Sequence, residues 1–383
     1  MSHKPLNILV INCDWRNLFE KDFDELLKKM DRCLMRTELN NFFFFSWSDK
    51  SYEKRQGERF FSVHKKTMWQ KFRPMFDLIS VFAIPHILKK HPFRPDVILV
   101  YDLGFLPAAK AVKKRFGGKI VLCLINRPEE LARTRKFAAV KASYSLLGEK
   151  FFIHSADIAY TINSSMKRYI ESLGFPPDRI KIFSCDTIRR DIPFIENSVR
   201  GTVRRQYDIS PEKKIFLSVG RLEAEKDFPR LFEILSHLDE KYLLIILGSG
   251  SLLPDFQKRV KELGIENRVI FAGLIGRKDL WNYYLDADIF MLLSKSEALG
   301  LVFWEAMYMN VPVIGSMATG ILETIGGGGE RGFLVGEKDD ILSIAEKIDL
   351  CLAGGEKIEG MKKRAREYVE VQMKNTLSIN DIL

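Results

Sequence analysis

Residues 288–310, DIFMLLSKSEALGLVFWEAMYMN, contain in one stretch the strand, turn and helix from which the fold is predicted. Asp288–Leu293 indicates a short buried strand, Ser294–Gly300 a polar turn, and Leu301–Met309 a helix that is apolar on every side except at Glu305. A lone carboxylate in such a helix is costly to bury without hydrogen-bond donors, so we expect Glu305 to face a polar cavity or a ligand. The stretch therefore predicts a functional site as well as part of the fold.

A second glutamate, Glu297, lies eight residues before Glu305, at the carboxyl end of the predicted strand. Ligands of open α/β sheets bind at this end of the strands. The start of the following helix, around Gly300 and Leu301, offers unpaired N–H groups and the positive end of a helix dipole, which suit a phosphate. The spacing alone fits two unrelated glutamates equally well, so its meaning depends on the rest of the chain.

The same alternation of strands and helices runs through the rest of the chain and restarts once, which predicts two doubly wound α/β domains. In the first half, strands are predicted at 6–12, 42–47, 60–63, 96–100, 120–125, 158–161 and 180–183, and helices at 19–30, 66–90, 106–116, 129–154 and 165–173. In the second half, strands are predicted at 215–219, 242–247, 269–272, 311–314 and 333–335, and helices at 227–238, 254–263, 279–285, 340–352 and 356–371. Residues 186–212 interrupt the pattern with mixed charge, and we expect them to cross between the domains with one short helix.

Composition limits the class of protein. A chain of 383 residues with 46% hydrophobic and 29% charged residues is typical of a soluble protein with two domains. The net charge of +10 suits nucleic acid, an anionic membrane surface or phosphorylated ligands, and does not choose among them. The five cysteines are odd in number and form no C-x-x-C pair, which indicates a reducing compartment and no zinc site. The N-terminus predicts no signal peptide, and the longest apolar run, about 14 residues, is too short to span a bilayer.

Residues 216–228, FLSVGRLEAEKDF, place a glycine and two cations on the turn after a strand. Gly220 permits close approach of the backbone, and Arg221 and Lys226 supply positive charge for a diphosphate. A solvated basic turn would have the same composition. Gly248 and Gly250, by contrast, are a lone G-x-G between a strand and a helix, for which a tight turn is the simpler interpretation.

These residues resemble motifs of one family. The turn at 216–228 resembles the V-G-R-x-x-x-x-K element of the GT4 family of retaining glycosyltransferases, and EALGLVFWEAM at 297–307 resembles its E-x7-E element. The segment VIFAGLIGRKDL at 269–280 is similar to the family's V-x-F-x-G segment, whose following backbone holds the base, which implies that role for Ile275. The resemblance covers the second half closely and the first half in outline.

The resemblance implies the GT-B fold, an α/β architecture in which two Rossmann-like domains face each other across a central cleft. We expect an acceptor-binding domain at 1–188, an interdomain linker at 189–212, a donor-binding domain at 213–362, and a C-terminal helix at 363–383 that could pack back on the first domain.

The implied reaction is retaining transfer of a sugar from a nucleotide diphosphate sugar, linked to UDP or GDP, to an acceptor hydroxyl in cell-surface glycan or glycolipid synthesis. The catalytic residues implied are Arg221, Lys226 and Glu297. Arg221 and Lys226 would hold the diphosphate, and Glu297 the donor sugar. The full expected donor site consists of Gly220, Arg221, Lys226, Ile275, Glu297, Leu301, Val302 and Glu305, with Glu305 on the ribose hydroxyls and the N–H groups near Leu301 and Val302 on the phosphate.

We expect no tightly bound cofactor and no metal. A D-x-D triplet binds divalent metal in the other main glycosyltransferase fold, and the chain has two such triplets. Asp22 and Asp24 lie within a predicted helix, and Asp286 and Asp288 precede a strand at its amino end, opposite the expected site. Neither pair is placed to bridge a metal and a diphosphate.

The first half departs from the family pattern. The loop after the first strand, residues 12–16, contains no glycine, and the family's V-x-H-D and N-G-V-D motifs are replaced by Leu124–Asn126 and Ser184–Thr187. A front-face mechanism, in which the departing phosphate oxygen takes the acceptor proton, needs no histidine base, so activity remains compatible with these changes. The alternative is a catalytically inactive GT-B protein that binds nucleotide sugars.

Residues 64–76 interleave cations with aromatic side chains, a pattern that suits docking on an anionic membrane and would bring a lipid-linked acceptor to the protein. Packing of the same helix on its own sheet would use similar residues. The expected location is the cytoplasm, with peripheral binding to the inner face of the membrane. No nucleic-acid partner is expected, because the chain lacks a helix-turn-helix, zinc or RNP-type signature.

Overall fold

The structure of the chain, a computed structural model, describes residues 6–11, 41–48, 52–56, 59–65, 73–101, 103–124, 150, 152–182 and 188–374. The predicted helix at 19–30, most of that at 129–154, and residues 375–383 lie outside the described residues. The chain divides into two compact units, of which the second comprises residues 186–375. Two α/β units are therefore confirmed.

The first unit contains one sheet, whose eight described strands are mostly parallel. In the order β3-β4-β2-β1-β5-β6-β7-β8, every neighbouring pair is parallel except β3 and β4. The strands are β1 (Asn7–Ile11), β2 (Asn41–Ser48), β3 (Tyr52–Gln56), β4 (Arg59–Lys65), β5 (Val97–Val100), β6 (Lys119–Leu124), β7 (Ile158–Thr161) and β8 (Ile180–Ile182). Strand β3, with the polar sequence YEKRQ, lies at the edge and was not predicted, since it has no apolar run.

The described helices of the first unit cover the sheet with apolar faces. They are α1 (Arg73–Lys89), α2 (Leu106–Phe116) and α3 (Ser164–Ser172). Helix α2 buries Ala108, Ala109 and Val112, which share one face at helical spacing. Its end is fixed by Gly117, which adopts a φ of 81° that other residues rarely take. The core lies between these helices and the apolar residues of strands β1 and β5, which are buried.

In the described part of the second unit, six strands form a wholly parallel sheet in the order β11-β10-β9-β12-β13-β14. They are β9 (Lys214–Val219), β10 (Tyr242–Leu247), β11 (Val269–Gly273), β12 (Ile289–Leu292), β13 (Val313–Ser316) and β14 (Phe333–Val335). All six lie within two residues of their predicted positions. Strand β10, YLLIIL, is buried at every residue, as expected of a strand covered on both faces.

The described helices of the second unit precede, connect and follow these strands. They are α4 (Ile192–Glu196), α5 (Thr202–Gln206), α6 (Phe228–His237), α7 (Leu253–Glu262), α8 (Arg277–Asp286), α9 (Leu301–Tyr308), α10 (Thr319–Ile325), α11 (Ile341–Ala353) and α12 (Glu356–Lys374). Helix α6 shows the pattern that predicted it, since Phe228, Leu231, Phe232 and Leu235 are buried at helical spacing. No helix within the described ranges is long and apolar enough to cross a bilayer.

Two helices show where the sequence pattern was incomplete. Helix α10, TGILETI, was not predicted, because it is short and consists largely of one glycine and four β-branched residues, which have low helix propensity. Helix α12 runs continuously through residues 362 and 363, where a domain boundary was expected. It packs against α9, with the Trp304 and Tyr368 ring centroids 6.0 Å apart and Arg366 donating to the Tyr308 carbonyl at 2.9 Å. The described part of the C-terminal helix thus belongs to the second unit.

Candidate active site

The turns that follow β9, β10, β12 and β13 gather at one edge of the second sheet, because these strands are parallel and adjacent. This carboxyl edge is where α/β sheets bind ligands. All of the sequence-predicted site residues belong to the second unit. The turns at this edge carry most of them, and Glu305 lies one helical turn farther along α9.

The turn after β9, residues 220–228, which we call the cationic turn, is held by the loop after β10. Gly220 N–H donates to the Leu247 carbonyl at 2.9 Å, and Leu222 N–H to the Ser249 carbonyl at 3.0 Å. A Cβ at Gly248 would lie 1.9 Å from the Gly220 carbonyl oxygen, and one at Gly250 would lie 2.2 Å from that of Leu222. The two glycines therefore allow two backbones to cross in contact, a role that the lone G-x-G pattern did not reveal.

The structure brings Lys226 and Glu297 together. Lys226 Nζ lies 2.6 Å from Glu297 Oε2, and both side chains are largely buried, with 13% and 17% exposed. A second link joins the same two turns, because Lys295 N–H donates to the Glu225 carbonyl at 2.8 Å and its ammonium lies 3.1 Å from Asp227. The turn after β9 and the turn after β12, about 70 positions apart in sequence, are thus bonded to each other.

Asp227, in the cationic turn, has a φ of 50°, in the left-handed region that non-glycine residues seldom adopt. It directly follows Lys226 and precedes α6, where Pro229 occupies the first helical turn. Aspartate tolerates this conformation better than most residues do. The backbone bend places Lys226 at the end of the turn and starts α6 immediately afterwards.

Arg221 lies on the cationic turn but has a different environment. Its guanidinium pairs with Glu225 at 2.5 Å, and 73% of the side chain is exposed. Among the described residues, no ion pair joins Arg221 to Glu297 or Glu305. The structure therefore brings Lys226, and not Arg221, into direct contact with a predicted acidic residue.

Glu297 is also positioned from the far side by α10. Gly320 N–H donates to the Glu297 carbonyl at 2.9 Å, and a Cβ at Gly320 would lie 2.5 Å from the Ala298 carbonyl carbon. At the start of α9, Gly300 has a φ of 73°. The first N–H groups of a helix have no partner within it, so Leu301 and Val302 offer donors beside Glu297.

Glu305 is 4% exposed, and the protein itself supplies donors to both carboxylate oxygens. Arg277 Nη1 lies 2.6 Å from Oε1, and the Tyr284 hydroxyl donates to Oε2 at 2.7 Å. These two bonds compensate the cost of burying the carboxylate. From the sequence, a polar cavity or a ligand was expected to supply this compensation. Sequence reasoning missed both partners: Arg277 lies in the segment 269–280, where a role was assigned only to Ile275, and Tyr284 belongs to no motif.

The Glu305 pair extends into a buried network. The second arm of the Arg277 guanidinium pairs with Asp191, which is 6% exposed and also accepts a hydrogen bond from Trp281 Nε1 at 3.2 Å. Burial would lower the pKa of Arg277, but the carboxylates of Glu305 and Asp191 raise it above its ordinary value. Burial and the neighbouring Glu305 charge raise the pKa of Tyr284 well above its ordinary value. Arg277 therefore stays charged and Tyr284 neutral.

Ile275 lies in the short connection between β11 and α8, two residues before Arg277. Its side chain is half-buried, and the preceding Leu274 is 79% exposed. The connection is at the carboxyl edge, next to the loop that follows β10. The backbone implied to hold the base thus leads directly into the Glu305 network.

Asp286 and Asp288 serve as anchors at the opposite edge. Asp286 accepts from the backbone N–H groups of Val203, at 2.8 Å, and Gly201. Asp288 pairs with Arg204 at 2.9 Å. Within the described ranges, no group of three or more His, Cys, Asp or Glu side chains could hold a metal. Asp22 and Asp24 lie outside the described residues.

Two family models match the chain, one on each side of the boundary between the units. The model described as Glycosyltransferase Family 4 matches residues 41–185, and that described as Glycosyl transferases group 1 matches residues 199–368. The second match contains the cationic turn, Glu297 and Glu305.

Two curated relatives are also similar to part of the chain. The N-acetyl-alpha-D-glucosaminyl L-malate synthase of Bacillus anthracis is 33% identical over 177 residues, which are 45% of this chain and 45% of the relative. A relative from Campylobacter jejuni, the GalNAc-alpha-(1->4)-GalNAc-alpha-(1->3)-diNAcBac-PP-undecaprenol alpha-1,4-N-acetyl-D-galactosaminyltransferase, is 30% identical over 171 residues, 42% of this chain and 46% of the relative. The chain spans about half the length of these two relatives.

A solved structure shows the fold. Anabaena Alr3699/HepE in complex with UDP-glucose has a TM-score of 0.68 and 15% identity, covering 96% of this chain and 95% of that one. The solved structures that resemble this chain, HepE among them, are GT-B glycosyltransferases. The predicted GT-B fold of two Rossmann-like units is therefore confirmed. The cleft expected between the units stays a prediction.

Proposed function

Since the chain belongs to the GT4 family of glycosyltransferases, we propose that it transfers a sugar from a nucleotide diphosphate sugar to an acceptor hydroxyl with retention of configuration. The observation that carries this proposal is the Lys226–Glu297 pair, in which the predicted diphosphate cation and the predicted sugar-binding carboxylate lie 2.6 Å apart. Their contact joins the family's two donor-side motifs at the carboxyl edge of the second sheet. Residues 1–188 would bind the acceptor and residues 213–362 the donor.

The donor roles follow from the chemistry of each side chain. Lys226 and the exposed Arg221 would neutralise the diphosphate, with the N–H groups of Leu301 and Val302 as further donors. Glu297 would accept hydrogen bonds from the donor sugar and Glu305 from the ribose hydroxyls. Gly220 permits close approach of the diphosphate, and the backbone at Ile275 would hold the base.

The reaction breaks the bond between the anomeric carbon and the diphosphate oxygen and forms a bond from that carbon to the acceptor oxygen on the same face. The acceptor proton passes to the departing phosphate oxygen, so the products are a nucleoside diphosphate and a glycoside. Positive charge already in place at Lys226 and Arg221 would stabilise the phosphate as it leaves. We propose that these cations do so without a metal ion.

The nucleotide of the donor is UDP or GDP in this proposal. Support for a nucleotide sugar comes from the HepE structure, which contains UDP-glucose. Support for a glycan or lipid-linked acceptor comes from the Campylobacter relative, whose name describes an undecaprenol-linked substrate. The proposed role is therefore in cell-surface glycan or glycolipid synthesis.

Thermal stabilisation by a panel of UDP, GDP and ADP sugars tests the donor. A ligand that binds only the native state of a protein raises the melting temperature of that protein. We therefore expect sugars linked to one of the three nucleotides to stabilise this chain. Glu305→Ala should raise the dissociation constant of that nucleotide, whereas Glu262→Ala, which changes an exposed glutamate on α7, should leave it unchanged. Equal affinity in Glu305→Ala and the wild type would contradict the ribose role.

Transfer itself separates the proposal from an inactive nucleotide-sugar-binding protein. The stabilising donor, incubated with a glycan or lipid extract, should give a glycoside whose proton spectrum shows the donor's anomeric configuration. Inversion would reject the retaining mechanism. Binding with neither transfer nor donor hydrolysis would favour the inactive alternative.

Membrane docking through residues 64–76 is part of the same proposal, together with a cytoplasmic location. Residues 66–72 of this segment lie outside the described residues. Co-sedimentation with liposomes tests it, and we expect binding to vesicles that contain anionic lipid and weaker binding at high salt. Equal sedimentation with neutral and anionic vesicles would remove the electrostatic explanation.

A further inference from the structure

The Glu305 carboxylate is fixed before any ligand arrives. One oxygen is bound by Arg277 and the other by Tyr284, at 2.6 and 2.7 Å. We propose that Arg277 and Tyr284 are positioning residues, which hold Glu305 as a preset acceptor for the two vicinal hydroxyls of the donor's ribose and so determine the preference for ribonucleotides. This inference rests on the proposed function, because it needs a nucleotide at Glu305.

The geometry leaves Glu305 able to accept more hydrogen bonds. An ionised carboxylate has about four lone-pair sites, and the two protein donors use one on each oxygen. The remaining site on each oxygen can receive one hydroxyl, and a vicinal diol presents two hydroxyls at nearly the spacing of the carboxylate oxygens. A single donor would leave the carboxylate free to rotate, whereas donors on both oxygens fix its plane.

Arg277 is itself held in place, so it can act as a fixed reference for Glu305. Asp191 binds the second arm of the guanidinium and is fixed in turn by Trp281 Nε1. The guanidinium also lies over the Trp281 ring, 5.4 Å from its centroid. Sharing one cation between two buried carboxylates leaves a net negative charge, which strengthens Glu305 as an acceptor for hydroxyl donors.

A purely structural salt bridge would have different consequences. Its loss would lower stability and weaken all nucleotides by the same factor. A positioning role predicts a selective loss, in which the protein binds the ribonucleotide less well but changes little toward analogues that lack one ribose hydroxyl. The ratio of affinities therefore separates the two roles, independently of fold stability.

The experiment compares dissociation constants for UDP, 2′-deoxy-UDP and 3′-deoxy-UDP, or the guanine series if the protein binds GDP. We expect the wild type to prefer the ribonucleotide by about 10- to 100-fold, the usual effect of losing a hydrogen bond to a charged group. Arg277→Met and Tyr284→Phe should each reduce this ratio several-fold. Arg277→Lys should restore part of it, because lysine keeps the charge but cannot bind two carboxylates with a planar fork.

The matched control is Arg268→Met. Arg268 is also a partly buried arginine with several hydrogen bonds, donating to the carbonyls of Tyr242, Leu235 and Asp239 at the amino edge of the same sheet. Its loss should lower stability and leave the ratio unchanged. If Arg277→Met does not fold, Tyr284→Phe, which keeps the ring, decides the question.

Glu305→Gln separates failure of this inference from failure of the proposed function. A ratio that falls in Glu305→Gln but stays at the wild-type value in Arg277→Met and Tyr284→Phe would overturn the inference and leave the ribose role intact. A wild type that binds no nucleotide, or one whose ratio is near 1, would reject the ribose role and the inference with it.

Discussion

The two acidic residues of the site are each paired with a cation at the same distance, 2.6 Å, but the pairs are built differently. Glu297 meets Lys226, a single ammonium on a turn, and both side chains keep a little exposure. Glu305 meets a guanidinium that is itself anchored by Asp191, and a tyrosine occupies its second oxygen. We therefore expect a ligand to rearrange the first pair more easily than the second, which is fixed by its surroundings.

This difference separates two tasks of a transferase. The Lys226–Glu297 pair would act on groups whose charge changes during the reaction, so its partners must be able to exchange the pair for contacts with a substrate. The Glu305 network would act on a ribose that does not react, so rigidity serves it. We therefore expect substitutions at the first pair to affect rate and those at the second to affect stability and nucleotide selection.

The largest effect is expected at Lys226. Lys226→Met removes the cation proposed for the departing diphosphate, and loss of such a preorganised donor costs about 10²- to 10³-fold in turnover. Steady-state kinetics with the stabilising donor measures it, with Lys258→Met, an exposed lysine on α7, as the control. A turnover within threefold of the wild type would contradict the role of this pair.

At the second pair, the expected effect is on stability. Arg277→Met leaves the buried carboxylates of Asp191 and Glu305 without their cation, which should lower the free energy of unfolding by about 3 kcal/mol. Lys226→Met strands one carboxylate that is more exposed, so about half that loss is expected. Urea denaturation of both variants makes the comparison, and an equal loss would show that the two pairs are alike.

The cationic turn also depends on the crossing of two backbones, which the glycines after β10 allow. Gly248→Ala would place a Cβ against the Gly220 carbonyl, and Gly248 also has a φ of 143°, so we expect a loss of roughly 2–3 kcal/mol. Gly264→Ala is the control, because Gly264 has a φ of 65° but open space around it. A cost for Gly248→Ala no greater than for Gly264→Ala would show that crowding at the crossing is unimportant.

Arg221 offers a smaller effect on the same turn. The Arg221 side chain is mostly exposed, and its ion pair is with Glu225, four residues later in the same turn. Arg221→Met should therefore leave the melting temperature nearly unchanged. Donor affinity should fall by about tenfold if the guanidinium reaches the diphosphate, the usual value of one charge-assisted hydrogen bond. Calorimetric titration measures this, and unchanged affinity would leave Lys226 as the main diphosphate cation.

The smallest expected effect is a loss of stability at alkaline pH, caused by Tyr284 in the Glu305 network. The pKa of Tyr284 is raised well above 10 in the folded protein, so its contribution to stability is complete below pH 10 and is lost as the pH rises further. At half a pH unit above 10 the loss should be roughly 1 kcal/mol. Tyr284→Phe should remove this part of the pH dependence, and parallel curves for the variant and wild type would contradict it.

Much of the fold and part of the site could be predicted from the sequence. Strands such as β10 and helices such as α6 have apolar patterns that only one kind of element satisfies. That Lys226 and Glu297 would lie in one site was predictable because each follows a strand, and the carboxyl ends of adjacent parallel strands meet; that they pair with each other was not predicted. Both cases rest on local pattern and on one rule of topology.

The remainder depended on tertiary contacts that leave no local signal. Arg277 and Tyr284 occupy helix α8 with ordinary spacing, and Asp191 lies in a segment predicted only as a crossing, so nothing in the sequence connected them to Glu305. A lone buried carboxylate did signal that donors must exist. It did not say whether a ligand or the protein supplies them.

Lys295 provides a natural reporter of motion at this edge. Its amide hydrogen is bound to the Glu225 carbonyl, so exchange of that hydrogen for deuterium requires the turn after β12 to separate from the turn after β9. Slow exchange during turnover would mean that the two turns stay joined while products depart. Fast exchange only in the presence of donor would identify their separation as a step of the cycle, read from a single amide.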